Sequence, residues 1–286
     1  MIEEKEVFYT CKYDRSFKEI MLKETNRDIL FKLLEQTLNV KINNVIEENI
    51  ELNQGNVHIR RKNLDILLST DIGIIGIEMN ASPKDYLHTR NYAFHCDNYS
   101  HYTLKGKEYN EEEIIIQINF KYGLKQQEDY EKIKILEKYY TQNEEGRKYV
   151  KNSVIYEWNM DKIMELWYSN DEEKIEKYKY LIMLDLDNEE LKKISKKDRM
   201  VTKYMEEINK LNEDPMFREY MTKEQDDEKK LNTEIHKAIN LGIEQGMKQG
   251  KNEEKLDIAF NLKKSGFSFK DIAENTGLPI ETIENL

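Results

Sequence analysis

Two acidic residues stand where acidic residues are costly. Asp65 lies inside the apolar run Leu64–Leu68 and Glu78 at the end of a second run, Ile72–Ile77, with Ser69-Thr70-Asp71 between them as a hairpin turn. A single carboxylate beside an apolar strand is ordinarily a solvated edge residue. Two on paired strands resist joint ionisation unless a cation or hydrogen-bond donors compensate them. The chemistry this pattern points to is a divalent metal site. Close by in the chain, Arg60-Arg61-Lys62, with His58 and Lys84, form a local basic patch. It can hold a phosphate backbone without reading sequence, and it can equally be a solvated edge strand.

The elements that must position these residues are legible in part. Residues 1–40 read as helical: Asp14, Phe17 and Ile20 open one stretch. Asn26 caps a second, in which Ile29, Leu30, Leu33, Leu34 and Leu38 follow the 3.6 period. Residues 42–53 alternate as a strand before the turn Asn53-Gln54-Gly55-Asn56, and two more strands span about 57–69 and 72–80. Ser82-Pro83 starts a helix over 83–102, closed by Gly106, with Asp85 as a weak capping-box partner. The helix carries Arg90 and also His88, His95 and His101. Those histidines are spaced seven and six apart, not the four of a helical zinc pair, and read as structural. Ile114–Phe120 is a nearly continuous apolar run, the pattern of a strand covered on both faces. Strand-like segments at 131–141 and 148–158 flank Glu144-Glu145-Gly146.

The remainder is helical in character. Residues 169–240 form a charged lobe with an apolar stripe at Tyr178, Leu181, Ile182 and Leu184. In 241–250, Gly242, Gly246 and Gly250 recur every four residues. Glycine costs a helix about 1 kcal/mol relative to alanine, so this is a linker or a small-residue dimer contact. Residues 251–286 give a three-helix, helix-turn-helix-like module punctuated by Gly266, Ser268 and Gly277-Leu278-Pro279. Residues 271–286, read as its last two helices, contain Asp271, Glu274, Glu281 and Glu284 and no Lys or Arg. Phosphates would repel such a recognition helix, which leaves packing or homo-oligomerisation as its role.

Bulk properties set the outer limits. Net charge is −11 and 35% of the 286 residues are charged, so any grip on nucleic acid must come from a local patch. Mean hydropathy is −0.84, and no apolar run approaches the ~20 residues of a membrane span. Met-Ile-Glu-Glu-Lys is not the start of a secretory signal. Cys11 and Cys96 lack metal-site spacing, which suits a reducing, cytoplasmic location.

Several segments together resemble a known family. They are Tyr13-Asp14-Arg15-Ser16-Phe17-Lys18; the hairpin Leu64-Asp65-Ile66 with Ile77-Glu78-Met79-Asn80; Arg90-Asn91-Tyr92 and Tyr99; Ile116-Gln117-Ile118-Asn119; and the tail from Glu244-Gln245-Gly246 to Ile272–Leu278. In this order they resemble the PD-(D/E)XK nuclease superfamily. More narrowly, the chain is similar to the Rpn-type recombination-promoting nucleases, also described as PD-(D/E)XK nuclease family transposases.

The resemblance implies an α+β fold: a restriction-endonuclease-like αβββαβ core with a mixed sheet over residues 1–168, followed by the helical lobe and the three-helix module. It implies that Asp65 and Glu78 hold Mg²⁺, with Mn²⁺ as a second choice, together with the backbone carbonyl of Met79. Mg²⁺ takes hard oxygen ligands at about 2.0–2.1 Å and keeps several waters, one of which serves as the nucleophile on DNA. Relatives carry lysine or glutamine where this chain has Asn80, which can position a water but cannot act as a cation or base. A basic group from elsewhere can take over, with Arg90 first and Lys62 or Lys84 after it. Arg90, Lys62, Arg60 and Arg61 are then the phosphate contacts, and Asp14, Lys18 and Gln117 the accessory residues. Two functions follow: a metal-dependent DNA endonuclease, or a pseudo-nuclease that binds nucleic acid or protein without cutting.

Overall fold

The computed structural model describes residues 7–48, 65–103 and 113–286. Two helices open the chain, α1 (Asp14–Met21) and α2 (Arg27–Leu38). The 3.6-residue spacing read from the sequence is the buried face of α2: Ile29, Leu30, Leu33, Leu34 and Leu38. Asn26 precedes α2 but does not cap it through its side chain. It is buried, and its amide instead donates to the Ile20 carbonyl, tying the end of α1 to the start of α2.

Among the described residues six strands form one mixed sheet: β1 (Val45–Glu48), β2 (Ile66–Thr70), β3 (Gly73–Asn80), β4 (Ile115–Lys121), β5 (Leu136–Tyr139) and β6 (Ser153–Asn159). Their order is β1-β2-β3-β4-β6-β5, with β3, β4 and β6 parallel and the other neighbours antiparallel. The crossover from β3 to β4 runs through helix α3 (Leu87–Thr103). The architecture is therefore α+β, with the expected αβββαβ order at its centre.

The hairpin β2/β3 turns two residues later than its sequence suggested. Thr70 and Gly73 are the last paired residues, so Asp71-Ile72 make the turn, and Thr70 Oγ1 donates to the Gly73 carbonyl at 2.7 Å. Gly73 has φ +128°, and a Cβ there would lie 2.2 Å from the Ile114 carbonyl oxygen. That oxygen accepts the Ile74 N–H, so the backbones must meet closely here. Gly73→Ala is expected to cost about 2–4 kcal/mol in urea unfolding; a loss below about 0.5 kcal/mol would show that the hairpin accommodates a side chain.

Three other boundaries differ. Strand β1 begins at Val45, and residues 49–64 lie outside the described residues; these include the turn at 53–56, His58, Arg60, Arg61 and Lys62. Gly106 lies outside them too. Helix α3 starts at Leu87 and not at Pro83, because Pro83 is used for packing: a Cβ on Gly123 (φ +76°) would meet the Pro83 ring at 2.4 Å. The segments expected at 131–141 and 148–158 shorten to β5 and β6.

One sheet face carries the main core. Ile66, Leu68, Ile75, Ile77, Met79, Ile116, Ile118 and Phe120 pack with α1, α2 and four further helices: α4 (Met160–Tyr168), α5 (Glu172–Ile182), α6 (Asn188–Ser195) and α7 (Arg199–Glu213). Leu181, Leu184, Leu191, Val201 and Tyr204 belong to this same core, so the part of the 169–240 stretch up to α7 completes the layer over the sheet. The opposite face is covered by α3. It is apolar at one end, where Leu67, Ile74, Ile115 and Tyr102 meet, and polar at the C-terminal ends of the parallel strands.

The chain divides into two compact units, Met1–Pro215 and Met216–Leu286. The second contains nearly all of α8 (Pro215–Lys264), then α9 (Phe269–Thr276) and α10 (Ile280–Glu284). The glycine-spaced stretch 241–250 is helical within α8. Ser268 caps α9, Gly277 ends it at φ +69°, and Ala259, Ile272 and Ile283 form a small separate core.

Candidate active site

Asp65 and Glu78 are brought together by the register of the hairpin. Ile66 pairs with Ile77, so the next pair outward is Asp65 with Glu78, and both side chains leave the sheet on one face. The backbone then locks them. The Met79 N–H donates to Asp65 Oδ2 at 2.6 Å, and the Asp65 N–H donates to Glu78 Oε1 at 3.2 Å. Asp65 is 8% exposed and Glu78 3%.

The second oxygen of each carboxylate faces a basic side chain. Lys18, one turn along α1 from Asp14, lies 3.1 Å from Asp65 Oδ1 and 2.9 Å from Asp14. Arg90, in the first turn of α3, places Nη2 2.9 Å from Glu78 Oε2 and 3.1 Å from Asn80 Oδ1. Asn80 is buried; its Oδ1 also accepts from Asn91 at 3.4 Å, and its amide leans on the Glu78 carbonyl. In this arrangement Asn80 orients the arginine.

Two cations do not neutralise the site. Burial pushes Glu78 up to about 8, with the Asp65 charge adding to the effect and Arg90 opposing it. Burial likewise pushes Asp65 up to about 6, and neighbouring Asp14 outweighs the help of Lys18. Burial disfavours the Lys18 ammonium, yet Asp65 and Asp14 together raise it above the usual lysine range. Burial, with the mutual repulsion of the acids, therefore holds the pair above the usual carboxylate range.

The donors suit a hard divalent ion. Two carboxylates and a nearby backbone carbonyl at Met79 supply oxygen only. Among the described residues no group of three or more His, Cys, Asp or Glu could hold a metal. A site of this kind leaves several positions to water, the preference of Mg²⁺ and not of structural zinc.

The other expected residues are placed as follows. Asp14 and Lys18 join the carboxylates. Gln117, on β4, is fully buried; it pairs in register with Gly76 and donates at 3.1 Å to Asn119, the register partner of Glu78. Lys84 is exposed in the segment before α3. Lys62, Arg60 and Arg61 lie outside the described residues. His95 is held by Ser153 at 2.6 Å, and burial pushes it down to about 4, so it is neutral.

The sequence reading missed a polar cluster beside the acids. Lys121, Glu157 and His88 meet at the ends of β4, β6 and α3: Lys121 Nζ lies 3.1 Å from Glu157 Oε2 and 3.0 Å from His88 Nε2. Glu157 had the same signal as Asp65 and Glu78, a carboxylate inside an apolar strand. Lys121 fell one residue beyond the strand as read.

An αβββαβ core whose central hairpin carries an interlocked acidic pair is the arrangement of the PD-(D/E)XK superfamily. The model of the PD-(D/E)XK nuclease family transposases matches residues 11–240, and the chain belongs to that family. No curated protein and no solved structure matches the chain.

Proposed function

We propose that this chain is a Mg²⁺-dependent DNA endonuclease that hydrolyses phosphodiester bonds at the Asp65–Glu78 centre, with Mn²⁺ able to replace Mg²⁺. The observation that carries the reading is the locking of the two buried carboxylates by backbone N–H groups of the hairpin, Met79 on Asp65 and Asp65 on Glu78, which leaves the second oxygen of each turned to a side-chain cation, with Asp14 beside Asp65 as well. A divalent ion bound there would polarise the scissile phosphate and make its bound water a nucleophile near neutral pH. Asp65 and Glu78 with the Met79 carbonyl would hold it. Lys18 keeps Asp65 aligned against α1, Asn80 orients Arg90, and Arg90 is free to exchange Glu78 for a phosphate oxygen. Arg60, Arg61 and Lys62 would extend the contact along the DNA backbone. Nicking of supercoiled plasmid that requires Mg²⁺ or Mn²⁺ and stops with EDTA supports the reading. No cutting under either metal, with the protein folded, removes it.

A pseudo-nuclease is the second reading, and it has its own observation. Lys18 and Arg90 already pair the carboxylates, as they would permanently in a binding module. No helix among the described residues is long and apolar enough to cross a membrane, and both cysteines are free, which suits the cytoplasm.

Self-association through α8 is part of the proposal. Leu231, Ile235, Ile239, Ile243 and Met247 are exposed at four-residue spacing along one helix. Beside them, among the described residues, nothing lies within 4 Å of a Cβ built at Gly242, Gly246 or Gly250. Three unexplained helical glycines cost about 3 kcal/mol in total, which close approach by a second copy would offset. Sedimentation of the full chain is expected to give a dimer, and Ile239→Asp with Ile243→Asp to weaken it at least about tenfold. A monomer at every concentration tested contradicts this.

A further inference from the structure

Position 80 carries no charge, and the residue beside it does. Asn80 and Lys121 are register partners across the parallel pair β3/β4, so their Cα atoms lie about 4.8 Å apart and their side chains leave the sheet together. Helix α3 reaches both, Asn91 at Asn80 and His88 at Lys121. Lys121 is 7% exposed. Its ammonium donates to Glu157, and His88 Nδ1 lies 3.4 Å from the other Glu157 oxygen, closing a ring of three. A cavity of about 180 Å³ opens at this ring, lined in part by Lys121, His88, Glu157 and Asn159.

Packing gives no reason for a charge at this place. A buried ion pair is often no more stabilising than apolar residues of the same shape. Among the described residues, the other two cations near the acids are engaged with them: Lys18 bridges Asp14 and Asp65, and Arg90 bridges Glu78 and Asn80. Lys121 is held from the far side. Glu78, Asn119 and Glu157 form one row across β3, β4 and β6, and Lys121 rises from the central strand two residues along on the same face, its ammonium drawn to the β6 side by Glu157.

We propose that Lys121 is a further phosphate-contacting cation of the candidate active site, beside Arg90, held at rest by Glu157 and His88 and turned toward Asn80 when a DNA phosphate reaches the carboxylates. It donates an N–H to a non-bridging phosphate oxygen, and no bond or proton is exchanged. The proposal rests on the nuclease reading, and its test separates the two.

Binding of a short labelled duplex to the full chain in Ca²⁺ is measured against salt, alongside plasmid nicking in Mg²⁺. Lys121→Met is expected to weaken binding about three- to tenfold and lower the salt slope by about one, with Lys121→Arg preserving it. Nicking is expected to fall about 10²-fold in Lys121→Met, with recovery to within about tenfold when Asn80→Lys is added. A purely structural ion pair instead makes Glu157→Gln as damaging as Lys121→Met and leaves the salt slope unchanged; either result overturns the proposal. Should Lys121→Met not fold, Lys121→Met with Glu157→Leu removes both partners and is expected to show the same losses. A wild-type chain that does not nick but shows the Lys121-dependent slope refutes the nuclease reading and keeps the phosphate contact. One that nicks with rate and slope indifferent to Lys121 refutes this inference alone.

Discussion

Glu78→Gln is expected to abolish Mg²⁺-dependent nicking while making the metal-free protein more stable. Glutamine has the shape of the protonated acid and can still accept the Asp65 N–H. What it lacks is the charge that burial and Asp65 both oppose. Cleavage is expected to fall at least about 10³-fold, because on the proposed reading Glu78 is a ligand of the ion that would carry the chemistry. Melting in EDTA is expected to rise by about 2–4 °C at pH 9, where the native carboxylate is ionised, and by less at pH 6, where it holds its proton. Opposite signs for activity and stability mark a site built for a ligand and not for the fold. A variant that is both inactive and less stable at pH 9 would mean that the Glu78–Arg90 pair is chiefly structural.

Divalent ions are expected to raise the melting temperature of the wild-type chain and to change how it depends on pH. Both acids titrate above their unfolded values, Asp65 near 6 and Glu78 near 8. Between about pH 4 and 8 the folded state therefore binds more protons than the unfolded chain, so metal-free stability is fully present at the acid end and is lost as pH rises through that window. Mg²⁺ or Mn²⁺ must displace those protons, so affinity increases with pH. At a hundredfold excess over the dissociation constant the stabilisation is about 2.7 kcal/mol, or about 5–10 °C for a chain of this size. Thermal melts from pH 5 to 9 with and without metal check it. A metal effect that is absent, or equal at both ends of the range, contradicts a site made of these two acids.

The acidic pair was legible because its cost was legible: carboxylates in apolar runs with a turn between them. The hairpin register then did the rest, pairing Asp65 with Glu78 even though the turn falls at Asp71-Ile72 and not two residues earlier. Helix α2 was readable from its apolar period, since packing against the core is what fixes it. Helix α3 was harder. Its buried side is Leu87, Asn91, His95, Asn98 and Tyr102, polar in the middle, so hydrophobic periodicity carries little signal there. The same polarity hid Lys121, which is held by Glu157 thirty-six residues further on and by His88 of the preceding helix α3. Pro83 misled for a local reason. It satisfies the rule for a helix start, but Gly123 offers it a packing surface that only the folded sheet creates. Asn26 did the same at α2, where a buried carbonyl of Ile20 outcompetes the free N–H groups of the helix end.

Calorimetric titration of Mn²⁺ into the metal-free wild-type chain, Asp65→Asn and Glu78→Gln tests most directly whether the two carboxylates share one ion. The expected result is binding to the wild type that releases protons and strengthens with pH, lost or weakened at least about tenfold in each single variant. Wild-type protein that binds no Mn²⁺, or binding that survives both substitutions unchanged, would contradict the metal centre at Asp65 and Glu78.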